Sequence, residues 1–438
     1  MRDDELQVLG KPRKMSKREK WRVAIIAFSL LAVIVALGIA GHYLIANEHE
    51  ELPTKNPGDS TIVPELQESA DSLLNCWLDS INGTQGQVIV MEVQTGEILA
   101  MVGLERNFEG KFQPCKNFAY QQELGSLTKT ASLLAALETG EVRLNDVVDV
   151  GKGIYKVDEE RQMMDHNWRR GGYGEITLDK ALEVSSNIGI GKAVVKAFGS
   201  NQQGFFDMLN KMSFGQPEQI DGIDGLKPTI YSSPKDSDWV NRRIWWSAIG
   251  YERLIAPIQM LTFYNAIAND GKMVKPMLKV GEVEVINPQI ASTKNIKLMQ
   301  ETLEHVVSRG LGRKAGTPLI LVAGKTGTSH VNEYYEGEAF VTEYQLAFCG
   351  YFPADAPKYS MIVSMNKLGL PASGGGMAGA LFHDITEWMI THGMPRVLAV
   401  DKEKNDTVLI TEDNIRSFTE SLDSKDDGYK IHLGEPTK

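Results

Sequence analysis

Apolar and polar positions fall into two rhythms along this chain, and each change of rhythm marks an element. Residues 70–78 carry Leu73, Leu74, Trp77 and Leu78 at helical spacing, which predicts the first helix of the folded part. Residues 87–93 and 97–102 are β-rich runs around Gln94-Thr95-Gly96 and predict a hairpin. A helix is predicted from Ser126 to about Thr139, stopped by Gly140. Another starts on Thr177 as N-cap and runs through Ala181, Leu182 and Val184 into Ser185-Ser186-Asn187. Further helices are predicted over 201–212, over 257–269 with Pro257 in the first turn, and over 293–308. Residues 319–323 read as a strand entering the small-residue stretch 324–329. Strands over 342–352 and 358–366 follow, joined by a turn at Pro353-Ala354-Asp355-Ala356-Pro357. A glycine loop at 374–376 and a closing helix over 381–390 complete the set. Two early and three late strands predict an α+β fold, with one central antiparallel five-stranded sheet flanked by helices on both faces.

Upstream of this domain the pattern changes. Residues 23–47 contain no Asp, Glu, Lys or Arg, and a run of about 20 apolar residues crosses a bilayer as a helix. Trp21, Arg22 and Tyr43 flank it as interface anchors do. Residues 1–22 hold eight Lys/Arg against four Asp/Glu. That excess keeps the N-terminus cytoplasmic and puts the remainder outside the cytoplasmic membrane. A cleaved signal peptide is the rival reading. It is disfavoured by the length of the run and the lack of a convincing cleavage site. The expected division is a basic tail over 1–22, a transmembrane anchor over 23–46, a polar linker over 47–70, a catalytic domain over 71–395 and a charged tail over 396–438. No element is predicted in that tail.

Composition narrows the partners. The net charge of −11 argues against nucleic acid, which needs a basic face. Cys76, Cys115 and Cys349 form no ligand cluster, so no metal site is expected. Cys349 sits in an apolar strand pattern and reads as a core residue.

Candidate chemistry begins at Gly125-Ser126-Leu127-Thr128-Lys129. Ser126 and Lys129 are three apart, so a helix places hydroxyl and amine on one face. A first-turn serine also lies at the positive end of the helix dipole. This suits a serine nucleophile with a lysine base. Alone, such a pair is more often the start of a surface helix. Two further motifs follow in order, Ser185-Ser186-Asn187 and Lys325-Thr326-Gly327-Thr328.

With this trio the chain resembles the class B penicillin-binding proteins, membrane-anchored peptidoglycan D,D-transpeptidases. The likeness extends to residues 90–101, to Gly250-Tyr251 with 257–276, and to 350–357, and covers roughly 85–392. It implies the penicillin-binding/β-lactamase-like serine transpeptidase fold and no cofactor. It implies Ser126 as nucleophile and Lys129 as base, neutral because burial and a second cation, Lys325, lower its pKa. Ser185 would relay the proton, and Asn187 would hold the substrate amide and help place Lys129. Lys325, Thr326 and Thr328 would hold the terminal carboxylate of a D-Ala-D-Ala stem peptide, with Gly327 allowing close approach. The backbone N–H groups of Ser126 and Thr328 would form the oxyanion hole. β-Lactams would acylate the same serine. Cell-wall synthesis partners in division or cell-shape maintenance are implied for the family.

Two other functions fit the motifs: a β-lactam-hydrolysing or β-lactam-sensing relative, and a non-catalytic cell-wall scaffold. The sequence departs from the family in three places. Fewer than forty residues separate the apolar run from the hairpin, where the family usually carries a pedestal. Leu124 replaces a common proline, and residues 377–381 lack another. His166 and His330 read as structural polar residues, Asp165 and Glu123 as solvated, and Tyr251, Trp239, Trp245 and Trp246 as core.

Overall fold

The computed structural model describes residues 56–227, 243–251, 254–336, 339–395, 397–401, 406–416, 419 and 429–433. The expected anchor over 23–46 and Trp239 lie outside the described residues. Among the described residues no helix is long and apolar enough to cross a membrane.

Helix α1 (Pro64–Ser80) opens on a proline and buries Leu66, Ala70, Leu74 and Leu78 along one stripe. Strands β1 (Gly83–Glu92) and β2 (Ile98–Arg106) form the expected hairpin. A short β3 (Phe112–Pro114) adds to β2. A 3₁₀ turn, Gly125–Leu127, then leads into α2 (Thr128–Glu138). Four small strands follow: β4 (Val147–Gly151) pairs with β7 (Gly174–Thr177), and β5 (Ile154–Lys156) with β6 (Gln162–Met164). Helices α3 (Leu178–Glu183), α4 (Asn187–Phe198), α5 (Gln202–Lys211), α6 (Arg243–Ala248) and α7 (Pro257–Ala268) come next. After β8 (Met273–Val274) and β9 (Val285–Asn287) comes α8 (Thr293–Ser308), which keeps the bounds its periodicity predicts. The long strands β10 (Ala323–Glu336), β11 (Ala339–Phe352) and β12 (Tyr359–Leu368) precede α9 (Gly379–Thr391).

The main sheet runs β10-β11-β12-β1-β2-β3, every neighbour antiparallel. It has six strands, not the expected five. The extra strand is three residues long and ends on Pro114, too short to show an alternation. Residues 319–322 precede the strand rather than form it, so Lys325-Thr326-Gly327-Thr328 lies inside β10. Past residue 395, β13 (Val397–Asp401), β14 (Asp406–Leu409) and β15 (Tyr429–Leu433) form a separate three-stranded sheet. These runs of four or five residues, set among charged segments, leave no trace in composition.

Alternation in β1 feeds two cores. Ile89 and Met91 join the cluster containing α2, α4 and α7, and Val88 and Val90 join the one containing α1 and α9. Helix α2 is buried almost all round, from Thr128 through Leu137, because its Ala, Ser and Thr positions let neighbouring elements close in. That burial carries Lys129 into the interior, fully shielded. Tyr264 of α7 fixes the start of the same helix: its hydroxyl donates to the Leu127 carbonyl at 2.9 Å and pairs with Thr130 Oγ1 at 2.7 Å. Gly250 presses on the turn from another side. It has φ +93°, and a Cβ there would lie 2.0 Å from the Gly125 carbonyl oxygen.

Tyr264→Phe strands a buried carbonyl and a buried hydroxyl. We expect a loss of about 1–3 kcal/mol, read as a lower denaturant midpoint with an unchanged slope.

Candidate active site

Three distant segments converge on the hydroxyl of Ser185. Lys129 Nζ donates to the Ser185 carbonyl at 2.7 Å and to its Oγ at 3.1 Å. Lys325 Nζ donates to the same Oγ at 2.9 Å and to the Thr326 carbonyl at 2.9 Å. Neither lysine is exposed. Each chain segment has its own reason to arrive. Lys129 sits in the first turn of the buried α2. Lys325 shares a sheet face with its partner across the ladder, Cys349, which is itself fully buried in the core as expected. Ser185 lies between α3 and α4 with φ +53°, left-handed for a residue with a Cβ. Such backbone costs of order 1–3 kcal/mol and persists only where its surroundings fix it.

Burial dominates the electrostatics. It pulls the Lys129 amine down to about 7, and the Asp165 charge opposes that fall. Lys325 is held well below the ordinary lysine range by burial first and by the Lys129 charge second. Of the two causes expected to lower Lys129, burial and the Lys325 charge, burial is the one that acts. Here desolvation does most of the work on both amines, and two amines sharing one oxygen do not both hold a full charge at low cost.

Ser126 occupies the 3₁₀ turn ahead of α2, half-buried, one turn before Lys129. The helix therefore opens as a 3₁₀ turn rather than α-helix from Ser126 onward. Thr128 and Thr326 are buried, whereas Thr328 is exposed. The Thr328 hydroxyl oxygen accepts from Gly374 N–H at 3.0 Å, which leaves its own proton free to donate. Gly374 belongs to the expected glycine loop, where a Cβ would lie 1.9 Å from the Gly327 carbonyl oxygen. Ser329 Oγ donates to the Glu123 carbonyl at 2.9 Å and ties β10 to the loop before Ser126. Asn187 stands at the first position of α4, and its amide donates to the Met164 carbonyl at 2.7 Å. Its bond is thus to the β6 strand end and not to Lys129.

Some neighbours escaped the sequence. Asp165, expected to be solvated, is 1% exposed. Its Oδ2 accepts from Ser186 Oγ at 2.6 Å and its Oδ1 from Ile188 N–H at 3.1 Å. Glu183, also 1% exposed, receives both Nε and a terminal guanidinium nitrogen of Arg309 on one oxygen, at 2.9 and 2.7 Å, and Lys180 on the other at 2.8 Å. A lone carboxylate in a loop, as Asp165 is, or at a helix end, as Glu183 is, gives no local sign of burial; only the tertiary pairing supplies one. His166 keeps solvent access, with Nε2 at 3.1 Å from the Tyr173 hydroxyl; partial desolvation of its ring first, and the Lys129 charge second, lower its pKa. His330 is exposed and packs edge-on to Tyr344. Trp245 is core, stacked on Tyr155, and Trp246 and Tyr251 pack against that core.

Comparison with known proteins bears on the family and the fold. Penicillin-binding protein PbpB of Mycolicibacterium smegmatis is 25% identical over 374 residues, covering 76% of this chain and 54% of that protein. Peptidoglycan D,D-transpeptidase FtsI of Escherichia coli is 24% identical over 306 residues, covering 68% of this chain and 49% of that protein. The chain thus spans about half the length of these curated relatives. Penicillin binding protein 3 of Mycobacterium tuberculosis, solved in complex with aztreonam, superposes with a TM-score of 0.65 at 22% identity, covering 77% of this chain and 79% of that one. That likeness shows the shared fold. The penicillin-binding protein transpeptidase domain model matches residues 86–387, well over half the sequence, and the chain belongs to that family.

Proposed function

We propose that this protein is a membrane-anchored serine D,D-transpeptidase that cross-links peptidoglycan stem peptides outside the cytoplasmic membrane. The observation that carries the reading is the pair of buried lysine amines on one serine hydroxyl, with one of those lysines, Lys129, a turn along the chain from Ser126. Residues 23–46 supply the anchor and 71–395 most of the catalytic domain; α1 begins at Pro64 and buries Leu66 and Ala70, so the domain also takes in the end of the linker expected over 47–70.

In the reaction, neutral Lys129 takes the Ser126 hydroxyl proton as Oγ bonds to the carbonyl carbon of the penultimate D-Ala. The backbone N–H groups of Ser126 and Thr328 receive the oxyanion. The C–N bond to the terminal D-Ala breaks, and the leaving amine takes a proton relayed from Lys129 through Ser185. An acceptor amine from a second stem peptide then attacks the acyl-Ser126 carbonyl. Its proton passes to Lys129, the new amide forms, and Ser126 Oγ leaves and is reprotonated. Lys325, Thr326 and Thr328 hold the terminal carboxylate, Asn187 the substrate amide, and Gly327 leaves room for the peptide backbone. A β-lactam acylates Ser126 by the same first step, its ring C–N bond breaking in place of the peptide bond.

Two outcomes test this reading. A fluorescent penicillin labels the wild type, and Ser126→Ala loses the label; equal labelling of both rejects Ser126. Label that persists marks a transpeptidase, whereas rapid turnover of the antibiotic marks a hydrolase. Second, the acylation rate rises with pH through about 7, as the Lys129 amine loses its proton, and then levels. Lys129→Ala flattens that rise and lowers the rate by roughly 10²–10⁴-fold.

A further inference from the structure

Asp165 belongs to none of the three motifs, yet it is bonded to one of them. Its carboxylate reaches from the loop after β6, past β7 and α3, to two groups at the start of α4, the Ser186 hydroxyl and the Ile188 N–H. Ser186 is the N-cap of α4, and its Oγ also accepts from Gly189 N–H at 2.9 Å. One buried carboxylate therefore closes a three-member chain of hydrogen bonds over the first turn of a 12-residue helix, where the backbone dipole favours negative charge. The residue immediately before that cap is Ser185, whose left-handed backbone presents both oxygen atoms to Lys129. A shift of the cap moves both acceptors together.

We propose that Asp165 is a positioning residue of the reaction, clamping the Ser185 turn against Lys129 through Ser186 and supplying a buried negative charge near Lys129. The inference rests on the reading of Ser126 and Lys129 given above. The charged and titratable groups around Lys129 are Asp165 from the loop after β6, Lys325 from β10, and His166 beside Asp165; Arg170 acts on His166. Asp165 favours the protonated form of Lys129, so its charge raises the pH at which the amine becomes a base.

The test is the pH profile of acylation by a fluorescent penicillin on the full chain in detergent, with folding of each variant checked by circular dichroism. Asp165→Asn keeps the shape and removes the charge. We expect the acid limb to move to lower pH by about one unit and the plateau to fall roughly tenfold. Ser186→Ala keeps the charge and cuts the clamp, so its limb stays where the wild type has it while the plateau falls roughly tenfold. A lowered plateau with no movement of the Asp165→Asn limb overturns the charge role. Wild-type profiles for both variants overturn the assignment and leave the reading of the site intact. A wild type that takes no label on Ser126 overturns the site reading and this inference with it.

Discussion

The structure depends on keeping two lysine amines buried against one serine hydroxyl. Bringing a single ammonium out of water costs several kcal/mol, and bringing two to the same oxygen costs more unless one gives up its proton. The shift of Lys129 to about 7 is the local response to that constraint. No single element produces it. A helix, a strand and an irregular turn each contribute one member, and none of the three is near another in sequence.

Holding those members in place occupies much of the surrounding polar chemistry. Tyr264 anchors the helix start, Ser329 hooks β10 to the loop ahead of Ser126, and Gly250 lets another segment press on that loop. These contacts are short-range and directional, and they cross between elements that a hydrophobic core alone would leave free to slide. The apolar layers on the two sheet faces supply stability; the polar ties supply register.

Most of this fold was legible because its long elements obey strong local rules. The 293–308 periodicity, the proline opening 257–268 and the hairpin around Gly96 each fix an element without outside help. Strand β3 and the 3₁₀ turn at Ser126 were not legible, since three residues hold too little pattern to separate from a loop. The candidates Ser126, Lys129, Ser185 and Lys325 were picked out through motif order rather than through any physical property of each, and the structure joins the last three. Asp165 and Glu183 were missed for a physical reason. Carboxylates are ordinarily solvated, and the exceptions are decided by partners such as Ser186 and Arg309 that sequence distance conceals.

Those two carboxylates bracket the segment that matters most. Glu183 is gripped by Arg309 and Lys180 on one side of Ser185, and Asp165 holds Ser186 and Ile188 on the other. Between them stands the one left-handed serine that meets both lysines. Backbone in that region relaxes unless both flanks are fixed, and here both are fixed by buried charge rather than by packing. Apolar packing tolerates sub-ångström drift at little cost, whereas a hydrogen-bonded carboxylate with no water to replace its partner does not. A turn held this way presents its oxygen atoms in one place before any substrate arrives, so the proposed proton transfer draws on a geometry already established in folding.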